Sequence, residues 1–223
     1  MTLRCVLLDI DGTLIDSNHF HAESWRQAFS EFGYNVPMEH IRPLIGMRGD
    51  KLIIAIDPTL PEKGQIAKKI MEHRETIFLT KYANRVRPMQ GARSLLEYLR
   101  NVGLTLTIAS SSREKELSVL LKTTGIDDLL ATSFPALEAK ESKPSPDIIL
   151  RGLEQSAARP DEAVMLGDTR YDIEAAARAF VPTIALRCGG SNDKELAGAY
   201  AVYDDPADIL RDPRSLFSAR YEQ

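Results

Sequence analysis

Cysteine is nearly absent from this sequence, with Cys5 and Cys188 the two in 223 residues. Two cysteines do not make a disulfide framework, and no Cys/His cluster stands at the spacing of zinc ligands. A basic excess is also missing. Lys and Arg number 28 against 32 Asp and Glu, a formal charge of −4, which argues against nucleic-acid and anionic-membrane partners. No apolar run approaches the roughly 20 residues of a membrane span. The first residues, Met1-Thr2-Leu3-Arg4, carry no basic-then-apolar leader, so cytoplasmic residence with reduced thiols is the expectation.

What remains is an ordinary globular composition, 43% apolar and 27% charged, with room for a sizeable core. One stretch stands out. Val6-Leu7-Leu8-Asp9-Ile10-Asp11-Gly12-Thr13 runs from an apolar strand pattern into two carboxylates. An unbroken apolar run of this length reads as a strand buried on both faces of a parallel sheet. Ligands bind beyond the carboxyl ends of such strands, so Asp9 and Asp11 stand where chemistry is done.

Downstream, the period changes to that of helices. Trp25, Ala28, Phe29 and Phe32 share one helical face that ends at Gly33. Shorter helical pieces follow around Ile41, Leu44 and Ile45 and around Leu52, Ile53 and Ile56. Ile66, Ile70, His73 and Ile77 predict a long helix from Pro61 to about Ala83. No strand pattern appears between Ser17 and Arg87. After Pro88-Met89-Gln90-Gly91, helices and short apolar runs alternate. Strands are expected at Leu104 to Ala109, Leu129 to Phe134, Ala163 to Leu166, Thr183 to Leu186 and Ala201 to Tyr203. The fold class is therefore α/β, a doubly wound, Rossmann-like parallel sheet. Its core is expected from residues 1–16 and 88–223, with a helical cap domain inserted at residues 17–87.

Four strand ends are followed by polar groups: Asp9 and Asp11; Ser110-Ser111-Ser112; a loop carrying Lys143-Pro144-Ser145-Pro146-Asp147; and Gly167-Asp168 with Asp172. In a parallel sheet these ends converge. Taken singly, the serines read as helix caps, Lys143 as a loop lysine, and Asp168 and Asp172 as helix-start carboxylates. Taken together they read as a site for phosphoryl transfer. Carboxylate oxygens select a hard cation, and Mg²⁺ fits best. Two unit charges about 4 Å apart interact by roughly 4 kcal/mol at an effective dielectric of 20. Clustered carboxylates would thus repel a phosphate unless a divalent cation and Lys143 offset them.

These four segments, in this order, resemble the motifs of the haloacid dehalogenase superfamily. A helical insertion straight after the first motif is similar to its phosphoglycolate phosphatase and β-phosphoglucomutase-like subgroup. The resemblance implies that Asp9 is the nucleophile that takes the phosphoryl group and that Asp11 is the acid and base, with a raised pKa. It further implies that Ser110, Ser111 and Lys143 bind the substrate phosphate, with Ser110 and Lys143 also catalytic. Asp9, Asp168 and the backbone carbonyl of Asp11 would hold Mg²⁺, and Asp172 would orient Lys143 from behind. The implied activity is hydrolysis of a small phosphorylated metabolite by a monomer or small homo-oligomer. A phosphosugar mutase is the alternative. Arg48 lies one place from the arginine of the mutase-like members, and His21 matches a histidine seen in them. His19 and the cap lysines Lys51, Lys63, Lys68, Lys69 and Lys81 read as solvated.

Overall fold

The computed structural model describes residues 2–60, 64–130 and 141–219. Its centre is β1 (Cys5–Leu8), which pairs in parallel with β4 (Thr105–Ile108) on one side and β5 (Ala163–Gly167) on the other. The sheet continues through β6 (Thr183–Leu186) to β7 (Ala201–Tyr203), in the order β4-β1-β5-β6-β7, parallel throughout. β1 has a neighbour at each edge and helices over each face, which is why its sequence is apolar at every position. Alternation then splits it between two cores. Cys5 and Leu7 pack with Ile149 and Met165 on one face, while Val6 and Leu8 pack with Leu95 and Leu120 on the other.

Around the sheet lie α5 (Ala92–Asn101), α6 (Glu114–Thr124), α7 (Asp127–Leu130), α8 (Asp147–Ser156), α9 (Arg170–Arg178), α10 (Pro206–Arg211) and α11 (Arg214–Ser218). Between β1 and α5 the chain is helical: α1 (Asn18–Glu31), α2 (Met38–Ile41), α3 (Gly49–Ile56) and α4 (Gln65–Ile77), the last extended by a π-helical turn at Phe78–Tyr82. The apolar face read from Trp25, Ala28 and Phe29 is buried, together with Ile53, Ile70 and Phe78. Residues 61–63, where the sequence starts the long helix, lie outside the described residues.

Two features differ from the sequence reading. β2 (Ile15–Asp16) and β3 (Arg87–Pro88) form a two-stranded antiparallel ribbon where the chain enters and leaves the helical segment. Each is too short to leave a periodic trace. The strand expected at Leu129 to Phe134 is not one where it is described. Leu129 and Leu130 belong to α7, whose first turn carries Asp127 and Asp128, carboxylates that favour the positive end of a helix. Residues 131–134 lie outside the described residues, and β4 is the edge strand of the described sheet. Both cysteines are free thiols. Among the described residues no helix is long and apolar enough to cross a membrane.

Candidate active site

Register decides which side chains meet. Leu8 of β1 stands opposite Ile108 of β4 and Leu166 of β5, so Asp9, Ser110 and Asp168 leave the same sheet edge. The chain then turns sharply, with the N–H groups of Thr13, Leu14 and Ile15 all donating to the Ile10 carbonyl. Gly12 makes that turn with φ of 81°. A Cβ there would stand 2.2 Å from Asp168 Oδ2 and 2.1 Å from Asn18 Nδ2. Only glycine lets the backbone approach this carboxylate so closely.

Lys143 is the pivot of a buried cluster. Its side chain is 1% exposed, and Nζ donates to Asp9 Oδ1 at 2.5 Å and to Asp172 Oδ1 at 2.6 Å. The other oxygen of Asp172 accepts from the Thr169 N–H (3.0 Å) and hydroxyl (2.6 Å) in a capping box at the start of α9. Asp168 accepts from Thr13 Oγ at 2.9 Å and from Asn18 Nδ2 at 2.9 Å, and Thr13 Oγ also lies 3.3 Å from Asp9 Oδ2.

Oxygens of Asp9, Asp168 and Asp172 come within 4.8 Å of one another. Three buried carboxylates thus face one ammonium, and the electrostatics record the imbalance. Burial pushes the Asp9 carboxyl up to about 7 against the pull of Lys143. Burial, followed by the charges of Asp9 and Asp172, holds Asp168 well above the carboxylate range. Burial opposes the charge on Lys143, but Asp172 and Asp9 outweigh it and raise its pKa. An all-oxygen, electron-rich pocket of this kind suits a hard divalent cation. Each of the three carboxylates already accepts hydrogen bonds on both oxygens, so their geometry alone does not single out two of them as ligands.

Asp11 departs from the sequence expectation. Its carboxylate turns away from the cluster and accepts from Ser17 Oγ at 2.6 Å and Ser112 Oγ at 2.5 Å, with His21 Nε2 at 2.6 Å. Burial raises its pKa, but the His21 imidazole and the two hydroxyls more than offset that, so it lies well below the usual range instead of above it. The expectation of a raised value considered neighbouring carboxylates, whereas the neighbours are donors.

His21 itself is stacked on Phe78, the rings 4.1 Å apart and 8° from parallel. Its Nδ1 meets Arg74 Nη2, and Arg74 Nη1 donates to Glu116 at 2.7 Å. Nε2 of His21 thus faces Asp11, while Nδ1 lies between the Arg74 guanidinium and the Glu116 carboxylate, the latter 3.4 Å away. The sequence reading missed Arg74, Glu116 and Ser17 as members of the site, and gave Thr13 and Ser112, which lie in the segments it named, no role of their own. A trace existed for two of them: Arg74 lies four residues from both Ile70 and Phe78, and Glu116 four from Leu120. Both are charges on apolar stripes.

Ser110 and Ser111 do not cap α6, which starts after Arg113 without a side-chain cap. Ser110 Oγ accepts from the Ser112 N–H at 3.1 Å, and Ser111 Oγ is buried with no partner. Together with Asp9 and Asp11 they line a cavity of about 500 Å³ that reaches Arg48, Arg74 and Arg113. His19 is exposed near Arg42, with Nδ1 3.4 Å from Nη2.

A family model described as haloacid dehalogenase-like hydrolase matches residues 6–186. Pyrophosphatase PpaX of Oceanobacillus iheyensis is 28% identical over 212 residues, 94% of this chain and 96% of that protein. The phosphorylated carbohydrates phosphatase of Thermotoga maritima is 23% identical over 93% of this chain and 97% of its own length. Among solved structures, a hydrolase from Pseudomonas syringae superposes with a TM-score of 0.86 at 26% identity, covering 96% of this chain and 99% of that one.

Proposed function

The chain belongs to the haloacid dehalogenase-like hydrolase family, and on that premise we propose that it is an Mg²⁺-dependent phosphatase of small phosphomonoesters that works through Asp9. The observation that carries this reading is the Lys143 cluster. A carboxylate at the end of the central strand, held by a buried ammonium and neighboured by Asp168, opens on a cavity with hydroxyls at its rim.

In this reading an Asp9 oxygen attacks phosphorus, the P–O bond to the alcohol breaks, and an aspartyl-phosphate forms. Water then cleaves that acyl phosphate, releasing inorganic phosphate and restoring the carboxylate. Asp11 gives the departing alcohol its proton and takes one from the water. Its resting bonds favour the ionised form, so it must take up a proton before the alcohol leaves. Ser110, Ser111 and Lys143 bind the phosphoryl oxygens where charge develops. Asp9, Asp168 and the Asp11 carbonyl would hold Mg²⁺, which when bound supplies positive charge against the phosphate. Asp172 positions Lys143. The helical segment, residues 17–87, acts as a cap that shields the intermediate and selects substrates. The names of the two curated relatives support phosphate-ester or phosphoanhydride chemistry.

Steady-state hydrolysis of an aryl phosphate tests the reading. Turnover should require a divalent cation, be lost to EDTA, and fall by about 10³-fold or more in Asp9→Asn. Metal-independent turnover or an active Asp9→Asn protein would overturn it. So would conversion of a bisphosphorylated sugar to its isomer in place of phosphate release.

A further inference from the structure

Beyond the phosphoryl site the cavity has a particular charge pattern. Among the described residues three arginines line it, and a carboxylate engages each one. Arg48 forks onto Asp50, with Nε 2.9 Å and 3.0 Å from the two oxygens and Nη2 at 2.6 Å. Arg74 is held by Glu116 at 2.7 Å and lies over the rings of Trp25 and Phe78. Arg113 reaches Glu75 at 2.7 Å. Glu114 adds a further carboxylate to the lining. The rest of the wall is apolar, with Ile45, Met47, Leu52, Met71 and Leu117. At about 500 Å³ the space exceeds what phosphate with a two-carbon acid would fill.

A second anionic group entering this space meets no surplus of positive charge. To bind Arg48 it must displace Asp50, and to bind Arg113 it must displace Glu75, leaving each displaced carboxylate facing it. Each displacement breaks an ion pair and sets a carboxylate against the incoming anion, which weakens its binding. A hydroxyl-bearing body meets no such penalty. Its hydroxyls can donate to carboxylates and its C–H faces can pack on the apolar wall.

We propose that the outer cavity selects phosphomonoesters whose leaving group is uncharged and hydroxyl-bearing, a polyol or a sugar, and rejects a second phosphate or a carboxylate. This rests on the phosphatase reading above and narrows it. It also separates the chain from the pyrophosphatase it resembles, since pyrophosphate would be among the poor substrates, and sides with the name of the carbohydrate phosphatase.

Two measurements keep the two claims apart. The wild-type protein with Mg²⁺ is assayed on glycerol phosphate, hexose phosphates, phosphoglycolate and pyrophosphate, with an aryl phosphate as reference. The same ligands are then titrated calorimetrically into Asp9→Asn, in which binding is read without turnover. The polyol and hexose phosphates should exceed the other two by at least about ten-fold in kcat/KM and bind correspondingly tighter. Asp50→Asn and Glu75→Gln, which remove one carboxylate charge beside Arg48 and Arg113, should each raise phosphoglycolate relative to hexose phosphate by about ten-fold. Failure on the aryl phosphate sinks the phosphatase reading, while the binding order still decides the selectivity. Equal or better binding or turnover of phosphoglycolate or pyrophosphate overturns the proposal, as does any lack of a difference between the two ligand groups. An unchanged ratio in both variants overturns it as well.

Discussion

Lys143 shows how much one side chain decides. Burying it costs several kcal/mol of solvation, and that cost is met only because Asp9 and Asp172 both bond its ammonium. The carboxylates still outnumber it, which fixes the pH behaviour of the metal-free protein. Asp9 is raised in the folded state, to about 7, so between pH 4 and 7 the folded chain holds more protons than the unfolded one. Stability therefore falls as pH rises through that window, and Asp168, also raised, acts in the same direction. Asp11 is lowered and has the opposite sign, but its contribution is lost only at pH values below the ordinary carboxylate range. Lys143 is raised, so its contribution is full throughout the window. The expected result is a melting temperature in EDTA that falls from about pH 5 to about pH 7.5, and a stabilisation by Mg²⁺ that is larger at the higher pH. Scanning fluorimetry at the two pH values checks it. A melting temperature that rises over the window, or equal Mg²⁺ effects, would contradict the charge imbalance.

At the scale of elements, α4 and α6 hold the helical segment against the sheet by two ion pairs of unequal weight. Arg74 and Glu116 have side chains 13% and 3% exposed, whereas Arg113 is 57% exposed beside Glu75. An exposed pair is worth at most about 1 kcal/mol, but removing one partner of a buried pair leaves a charge in the interior and costs about 3–5 kcal/mol. Arg74→Met is thus expected to lose about 3–5 kcal/mol in urea unfolding, and Arg113→Ala less than about 1 kcal/mol. The double variant Arg74→Met with Glu116→Leu should recover most of the loss, because no charge is left unpaired. Equal losses in the two single variants would mean that the burial difference carries no energy. Much of this level was open to sequence reading. The period of α1, α4 and α6 marked their buried faces, and the apolar runs marked β1, β4, β5 and β6. β2 and β3 were hidden, since two residues carry no period. α7 was misread because Leu129 and Leu130 fit a strand and a helix equally well, and Asp127 and Asp128 decide for the helix.

For the whole molecule, the site belongs to no single stretch. Its cavity takes Arg48 and Asp50 from the helical segment and Ser110 to Ser112 from the end of β4, segments some sixty residues apart that only the fold unites. Phosphate bound with Mg²⁺ should therefore slow amide exchange at both residues 45–52 and residues 110–116, while leaving α10 and α11 unchanged. Hydrogen exchange read by mass spectrometry checks this. Protection confined to the sheet edge would remove the helical segment from the binding surface.

Asp9 and Asp11 illustrate where sequence stops and structure begins. A carboxylate after Val6-Leu7-Leu8 had to stand at the end of a buried strand, because strand period and burial are local properties. The alternation of strands and helices likewise required a parallel sheet, and with it the convergence of Asp9, Ser110, Lys143 and Asp168. The state of each carboxylate was not local. Asp9 is raised by burial and by Asp172 against the pull of Lys143, 134 residues away, and Asp11 is lowered against its own burial by His21 of the helical segment and by Ser112, 101 residues away. A pKa follows from burial and from the charges within a few ångströms, and those distances exist only once the chain has folded.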